Sequence, residues 1–209
     1  MSSALEILKK RTSANNFNNS KQMSESDIRE LISYACEAPS SFNIQHWRFV
    51  AVTEKDVKEK LKAVAFGQQK ISDAAVTFAV LGDLKGIDKL SEAISPMLKS
   101  GAIDQKAYDG WLGMASGMYK DNPQLVRDEA IRSASLAGMN LMIAAQAKGL
   151  VSGAMVGFDS EGVKKVLGIS DRYVPVMLIA VGPEAPGNWP RKPRFSVDQV
   201  LSLNKFKEF

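Results

Sequence analysis

The chain carries almost none of the residues that staple a fold covalently or through a metal: its 209 residues include one cysteine, Cys36, and one histidine, His46. One cysteine excludes an intrachain disulfide, and this pair cannot form the His/Cys cage of a structural zinc within one chain, so no metal is expected. Cys36 falls in the apolar run of a predicted helix and reads as a small core residue; a nucleophilic role would need a base, and His46 is the sole histidine on offer. No apolar stretch is long enough to span a membrane, and the start, Met-Ser-Ser-Ala-Leu-Glu-Ile-Leu-Lys-Lys, lacks the apolar centre of a signal peptide, so a cytoplasmic protein is expected. A Gly-x-Gly-x-x-Gly fingerprint is missing too, which argues against a dinucleotide held on its own Rossmann domain. Nor is one charge in great excess. The 27 basic and 23 acidic side chains give +4 and a pI near 9.1, too mild and too interspersed to imply nucleic acid. The local cluster Arg191, Lys192, Arg194 would serve a phosphate-bearing small molecule, or be a solvated basic turn.

What is present, 45% hydrophobic and 24% charged residues, suits one well-buried core and a single domain over residues 1–209. Ser3 ahead of Leu5, Ile7 and Leu8 predicts a short helix that runs into Arg11-Thr12-Ser13-Ala14-Asn15-Asn16-Phe17. Ser24 and Asp27 form a capping-box pattern, and Ile28, Leu31, Ile32 and Ala35 then recur at helical spacing, which predicts an amphipathic helix over 25–37. Trp47–Val52 is a β-rich run, after which Thr53 with Asp56 should start a helix bearing Val57, Leu61 and Val64 on one face. Residues 75–82 are continuously apolar, as in a strand covered on both faces. Two short helices, interrupted by Pro96 and Gly101, are predicted over 86–119. A long one follows from Asn122 to Lys148, with Pro123 at its first position, a face of small residues, and a stop at Gly149. Residues 151–158 read as a Gly-rich connector, 160–167 as a short helix, 173–181 as a strand, and the proline-rich tail from Gly182 as a surface wrap. More helix than strand makes this α/β or α+β, with a sheet covered by helices.

The densest chemistry lies between a helix and a strand, in Ala38-Pro39-Ser40-Ser41-Phe42-Asn43-Ile44-Gln45-His46-Trp47. Pro39 disfavours helix at Ala38, so Ser40, Ser41, Asn43 and Gln45 fall on an irregular segment whose backbone donors are not used in a ladder. The segment is either a ligand-contacting loop or an ordinary Ser- and Asn-rich turn. Together with Arg11-Thr12-Ser13, Val156-Gly157-Phe158-Asp159, Leu167-Gly168-Ile169 and Arg191-Lys192-Pro193-Arg194, it resembles the FMN-dependent nitroreductase family over essentially the whole chain. The resemblance implies a three-layer α+β fold: a central, mostly antiparallel sheet covered by helices, a long central helix, an extended C-terminal tail and an intertwined homodimer. It assigns the FMN phosphate and ribityl chain to Arg11, Thr12, Ser13, Lys192 and Arg194, with Asn15 where many relatives have a second arginine. Pro39, Ser40, Ser41 and Asn43 would contact the FMN of the other subunit, Gln68 and Lys70 the ring edge, and Val156 and Gly157 would bring a backbone amide to flavin N5. His46 stands where many relatives have proline and is read as packed or surface-lying, not catalytic.

The resemblance further implies an enzyme with no side-chain catalyst of its own, since the flavin carries the chemistry. NADH or NADPH would pass hydride to N5, and an electron-poor small molecule such as a nitroaromatic or quinone would take it in a ping-pong cycle. An enone or aldehyde reductase, or a flavin-dependent dehydrogenase, stays open on the same scaffold. So does a non-catalytic FMN-binding dimer, or a small basic helical interaction protein. Met97, Trp111, Met114, Met118 and Tyr119 could line an acceptor pocket or simply pack.

Overall fold

The computed structural model describes residues 3–208. Ser3 caps α1 (Ala4–Lys10) through a reciprocal box with Glu6, and Ser24 does the same with Asp27 at α2 (Glu25–Ala35). α2 buries Leu31 and Ala35, whereas Cys36, expected in the core, is exposed. It follows Ala35 by one residue, about 100° around the helix from the buried stripe. One 3₁₀ turn at Ser41–Asn43 leads into β1 (Trp47–Val52), followed by α3 (Lys55–Val64), α4 (Lys70–Asp73) and β2 (Val76–Asp83). The expected Thr53 cap is not used: Glu54 holds the N-cap position and makes no side-chain cap bond, so Thr53 lies one residue too early. Leu61 is nonetheless fully buried, with Val57 and Val64 packed beside it.

Next come α5 (Leu90–Lys99), α6 (Gln105–Tyr119), α7 (Pro123–Ala147), β3 (Val151–Met155), α8 (Ser160–Leu167) and β4 (Tyr173–Gly182). Pro96 lies inside α5 rather than ending it; the break comes at Gly101, with φ of +74°. The strands form one sheet in the order β1-β2-β4-β3, antiparallel at each pairing. β3 replaces the expected Gly-rich connector, and its glycine explains both the misreading and the strand. A Cβ on Gly153 would lie 2.3 Å from the Ala14 carbonyl oxygen, so the segment after α1 passes directly over this edge strand. Ser13 makes a parallel bridge to Ser152, whose carbonyl accepts the Ala14 amide at 2.9 Å.

Every residue of β2 is buried. Its side chains alternate: Val76, Phe78 and Val80 meet Leu31, Ala134 and Leu141 from α2 and α7, while Ala79 and Leu81 meet Leu61 and Val163 from α3 and α8. Both faces are covered, which makes this a three-layer α+β fold and accounts for the unbroken apolar run. Each large side chain sealed this way contributes about 1.5–3 kcal/mol of transfer free energy. α7 is central, as its small residues predict, and it rides so close that a Cβ on Gly82 would sit 2.7 Å from the Ala130 carbonyl oxygen. A third cluster gathers Ile44, Leu90, Ile94, Ala115 and Tyr119, so α5 and α6 pack over the end of the Ser/Asn segment. Trp111 packs against it, but Met114 and Met118 are exposed. From Arg191 to Leu201 every residue of the tail is exposed, Phe195 by 77%.

Candidate functional site

The predicted site residues fall into two groups at opposite ends of the sheet. The first assembles around the segment that crosses Gly153. Arg11 is half-buried, and its guanidinium donates to the Thr12 carbonyl at 3.1 Å. Burial, then the nearby charges of Arg191 and Arg194, push its pKa down. Lys70 reaches the same place from α4: its Nζ donates to Asn15 Oδ1 at 3.1 Å, and burial followed by Lys192 lowers its pKa. Lys192 in turn lies over the Trp189 ring, 5.7 Å from its centroid, and Arg194 donates to the carbonyls of Lys192 and Pro193. Among the described residues none of these five cations has a carboxylate in ion-pair contact.

Two tail residues to which the resemblance assigned no role hold this group together. One guanidinium nitrogen of Arg191 donates to the carbonyls of Leu8, Lys9 and Arg11 at 2.9–3.0 Å, a cationic cap on the C-terminal end of α1. Asn188 Oδ1 accepts the amides of Asn15 and Asn16 at 2.8 and 2.9 Å, and its Nδ2 donates to the Asn16 carbonyl. Arg191 was legible only as a member of a basic cluster; Asn188 carried no sequence signal.

Gln68, two residues before Lys70, donates from Nε2 to the Gly157 carbonyl at 2.7 Å and thereby pins the turn after β3. Val156 on that turn is 77% exposed, and Ser13 is exposed as well, so both are open to a ligand. Gln69 is turned away, donating to Asp73.

Pro39, Ser40, Ser41 and Asn43 form the second group. The loop they build enters β1 at Trp47, which pairs with Gly82, whereas Ser152 beside Ser13 pairs with Val181, opposite Val76 at the other end of β2. Six residue steps of strand separate the two ends, about 20 Å. Phe42, Asn43 and Gln45 in this loop have φ of 50°, 57° and 56°. Below it lies a buried polar core. Asp83 is fully buried, its oxygens accepting from Arg172 Nε and one of its terminal nitrogens, both at 2.7 Å, from Arg48 at 3.3 Å and from the Lys85 amide at 2.9 Å. Burial alone would raise this carboxyl; the hydrogen bonds from Arg172 and the Lys85 amide, with both guanidinium charges, outweigh it and hold the pKa below the ordinary carboxylate range. His46 is 2% exposed, packed as one of the two expected readings had it, with Nδ1 3.4 Å from Ser133 Oγ, which bonds Glu129. Burial lowers its pKa, against the pull of Glu129 and Asp83.

Among the described residues no group of three or more His, Cys, Asp or Glu is placed to hold a metal ion, and no helix is long and apolar enough to cross a membrane. A model of the nitroreductase family matches residues 8–183, so the chain belongs to that family. It is 38% identical over 182 residues to YodC of Bacillus subtilis, covering 87% of this chain and 90% of that one, and 35% identical to MhqN of the same organism over the full length of both. Both relatives carry the name NAD(P)H nitroreductase, and the family places this chain among the oxidoreductases. A nitroreductase-named protein from Exiguobacterium sibiricum, solved in complex with FMN, superimposes with a TM-score of 0.91 at 28% identity, over 98% of each chain.

Proposed function

We propose that this protein is a homodimeric, FMN-dependent NAD(P)H oxidoreductase of the cytoplasm, built as one domain over residues 1–209, that reduces electron-poor acceptors such as nitroaromatics and quinones. The observation that carries the reading is the cation group itself. Arg11, Lys70, Arg191, Lys192 and Arg194 stand together with no carboxylate of the described residues in ion-pair contact, an arrangement that repels itself until an anion arrives. A phosphate dianion fits it, since guanidinium forks and a lysine point charge together can serve several oxygens. When bound, FMN supplies the hydride relay, accepting from nicotinamide and giving to the acceptor in separate half-reactions.

Within one protomer, Arg11 and Arg194 hold the phosphate, with the Ser13 hydroxyl and the Thr12 backbone. Asn15 adds a hydrogen bond but no charge, and Lys70 orients it. Gln68 fixes the turn that offers the Val156 and Gly157 backbone to the ring. Within one chain about 20 Å of sheet separates this group from Pro39, Ser40, Ser41 and Asn43. That separation supports the reading, implied by the family resemblance, in which the loop serves the neighbouring protomer's site. The exposed apolar residues Phe195, Val197, Val200 and Leu203 of the tail fit the same arrangement, because a second chain would cover them.

Two readouts test this. The FMN-loaded protein should bleach anaerobically with NADH or NADPH; a flavin absorbance that persists with both donors would leave a binder, not an oxidoreductase. For the shared site, R11A and N43A chains are combined at an FMN concentration where neither homodimer binds. The R11A/N43A mixed dimer should hold one FMN, because both lesions fall in one site, and a double-variant chain paired with wild type should hold none. The reverse pattern would overturn the assignment of the loop to its neighbour.

A further inference from the structure

We propose that Arg48 is a positioning residue which sets the shape of the Ser40–Gln45 loop, so that the buried Asp83 centre of one protomer governs cofactor binding in the site of the other. The inference rests on the reading above, that this loop serves the neighbouring site.

Three consecutive or near-consecutive side-chain-bearing residues, Phe42, Asn43 and Gln45, occupy the left-handed region, which only glycine visits without cost. Such a run persists only where its surroundings over-determine it. Two groups pin it at Gln45: the amide donates to Ser40 Oγ at 2.9 Å, closing the loop on itself, and the carbonyl accepts Arg48 at 2.8 Å. The same Arg48 nitrogen donates to the Trp47 carbonyl at 2.7 Å, while the other terminal nitrogen faces Asp83 at 3.3 Å. Asp83 cannot drift toward the loop, because Arg172 grips both its oxygens and its own amide donates to the His46 carbonyl at 2.7 Å. The guanidinium is thus a fixed fork that ties one loop carbonyl to a buried, immobile carboxylate. Nothing engages the Asn43 side chain among the described residues, and it stands at the free crest of a loop held from beneath. A lysine in place of Arg48 would offer one ammonium for two carbonyls and a carboxylate that diverge from it.

The test uses R48M and R48K in the full-length dimer reconstituted with FMN. R48M should raise the FMN Kd tenfold or more, and R48K about threefold to tenfold, with only a modest fall in apo Tm because Arg172 keeps both Asp83 oxygens paired. The defect must also travel: an R48M/R11A mixed dimer should retain one tight FMN site, while a double-variant chain paired with wild type retains none. A global loss of structure would weaken both sites of either dimer. If R48M fails to fold, R48K carries the test, and FMN affinity equal to wild type in R48K would overturn the need for a fork. If N43A weakens FMN binding while R48M and R48K do not, the clamp is wrong and the shared site stands. Should N43A itself leave FMN binding unchanged, the reading of the loop fails and takes this inference with it.

Discussion

Around Asp83 two guanidiniums meet one fully buried carboxylate; Arg11 and four other cations gather with no carboxylate of the described residues in ion-pair contact. Both sets are partly desolvated, and both bring together residues far apart in the chain. The difference lies in what completes them. The Asp83 set is complete within the protein, so its charges act as structure and hold a strained loop in place. The Arg11 set lacks its counter-charge, so the fold keeps like charges together at a cost that only a ligand relieves. An ion cluster whose buried carboxylate is fully paired reads as scaffold, and a set of cations with no counter-charge among the described residues reads as a site.

The contrast can be broken most severely at Asp83. D83N leaves two guanidiniums without their anion, and unfolding in urea should show a loss of about 3 kcal/mol, toward the lower end for a buried pair because both arginines keep some water. R11A should do the opposite in the apo protein, leaving Tm unchanged or slightly raised as repulsion with Arg191 and Arg194 is relieved. Its FMN Kd, measured by fluorescence titration, should rise about 10- to 100-fold, the worth of a charge-assisted contact. An R11A protein that unfolds more easily while binding FMN normally would erase the distinction between the two sets. The smallest effect concerns His46. Its folded pKa lies below the ordinary 6.5, so the unfolded chain binds the extra proton first and stability is lost as pH falls below about 6.5. Tm measured from pH 7.5 to 5.5 should decline for wild type and decline less for H46Q, a difference of at most about 4 °C.

How much of this was legible beforehand depended on range. The short helix after Ser3, the capping box at Ser24, the buried strand after Ala75 and the small-faced α7 rest on local pattern and were read correctly. β3 was not, because Val-Ser-Gly-Ala-Met is short and weak in β-formers; it is a strand because Gly153 admits the Ala14 backbone across 139 residues of chain. The Asp83 centre had no sequence signal at all. Its arginines lie 35 and 89 residues away, and no periodicity links them. Loop strain was hinted only by Asn43, since Phe and Gln rarely take a left-handed backbone. The cation group was visible in outline through resemblance, yet Arg191 and Asn188, which fasten it, emerge only from the fold.

That fastening has a consequence for biosynthesis. The hydrogen bond from Arg191 to Arg11 joins positions 180 residues apart, with all four strands encoded between them. A chain halted after β4 would hold every strand of the sheet and nearly all of the core but could not close the cradle. On the proposed reading, in which this group holds FMN, loading with flavin would report that translation had run past Arg191, and chains terminated before it would stay colourless however well they folded.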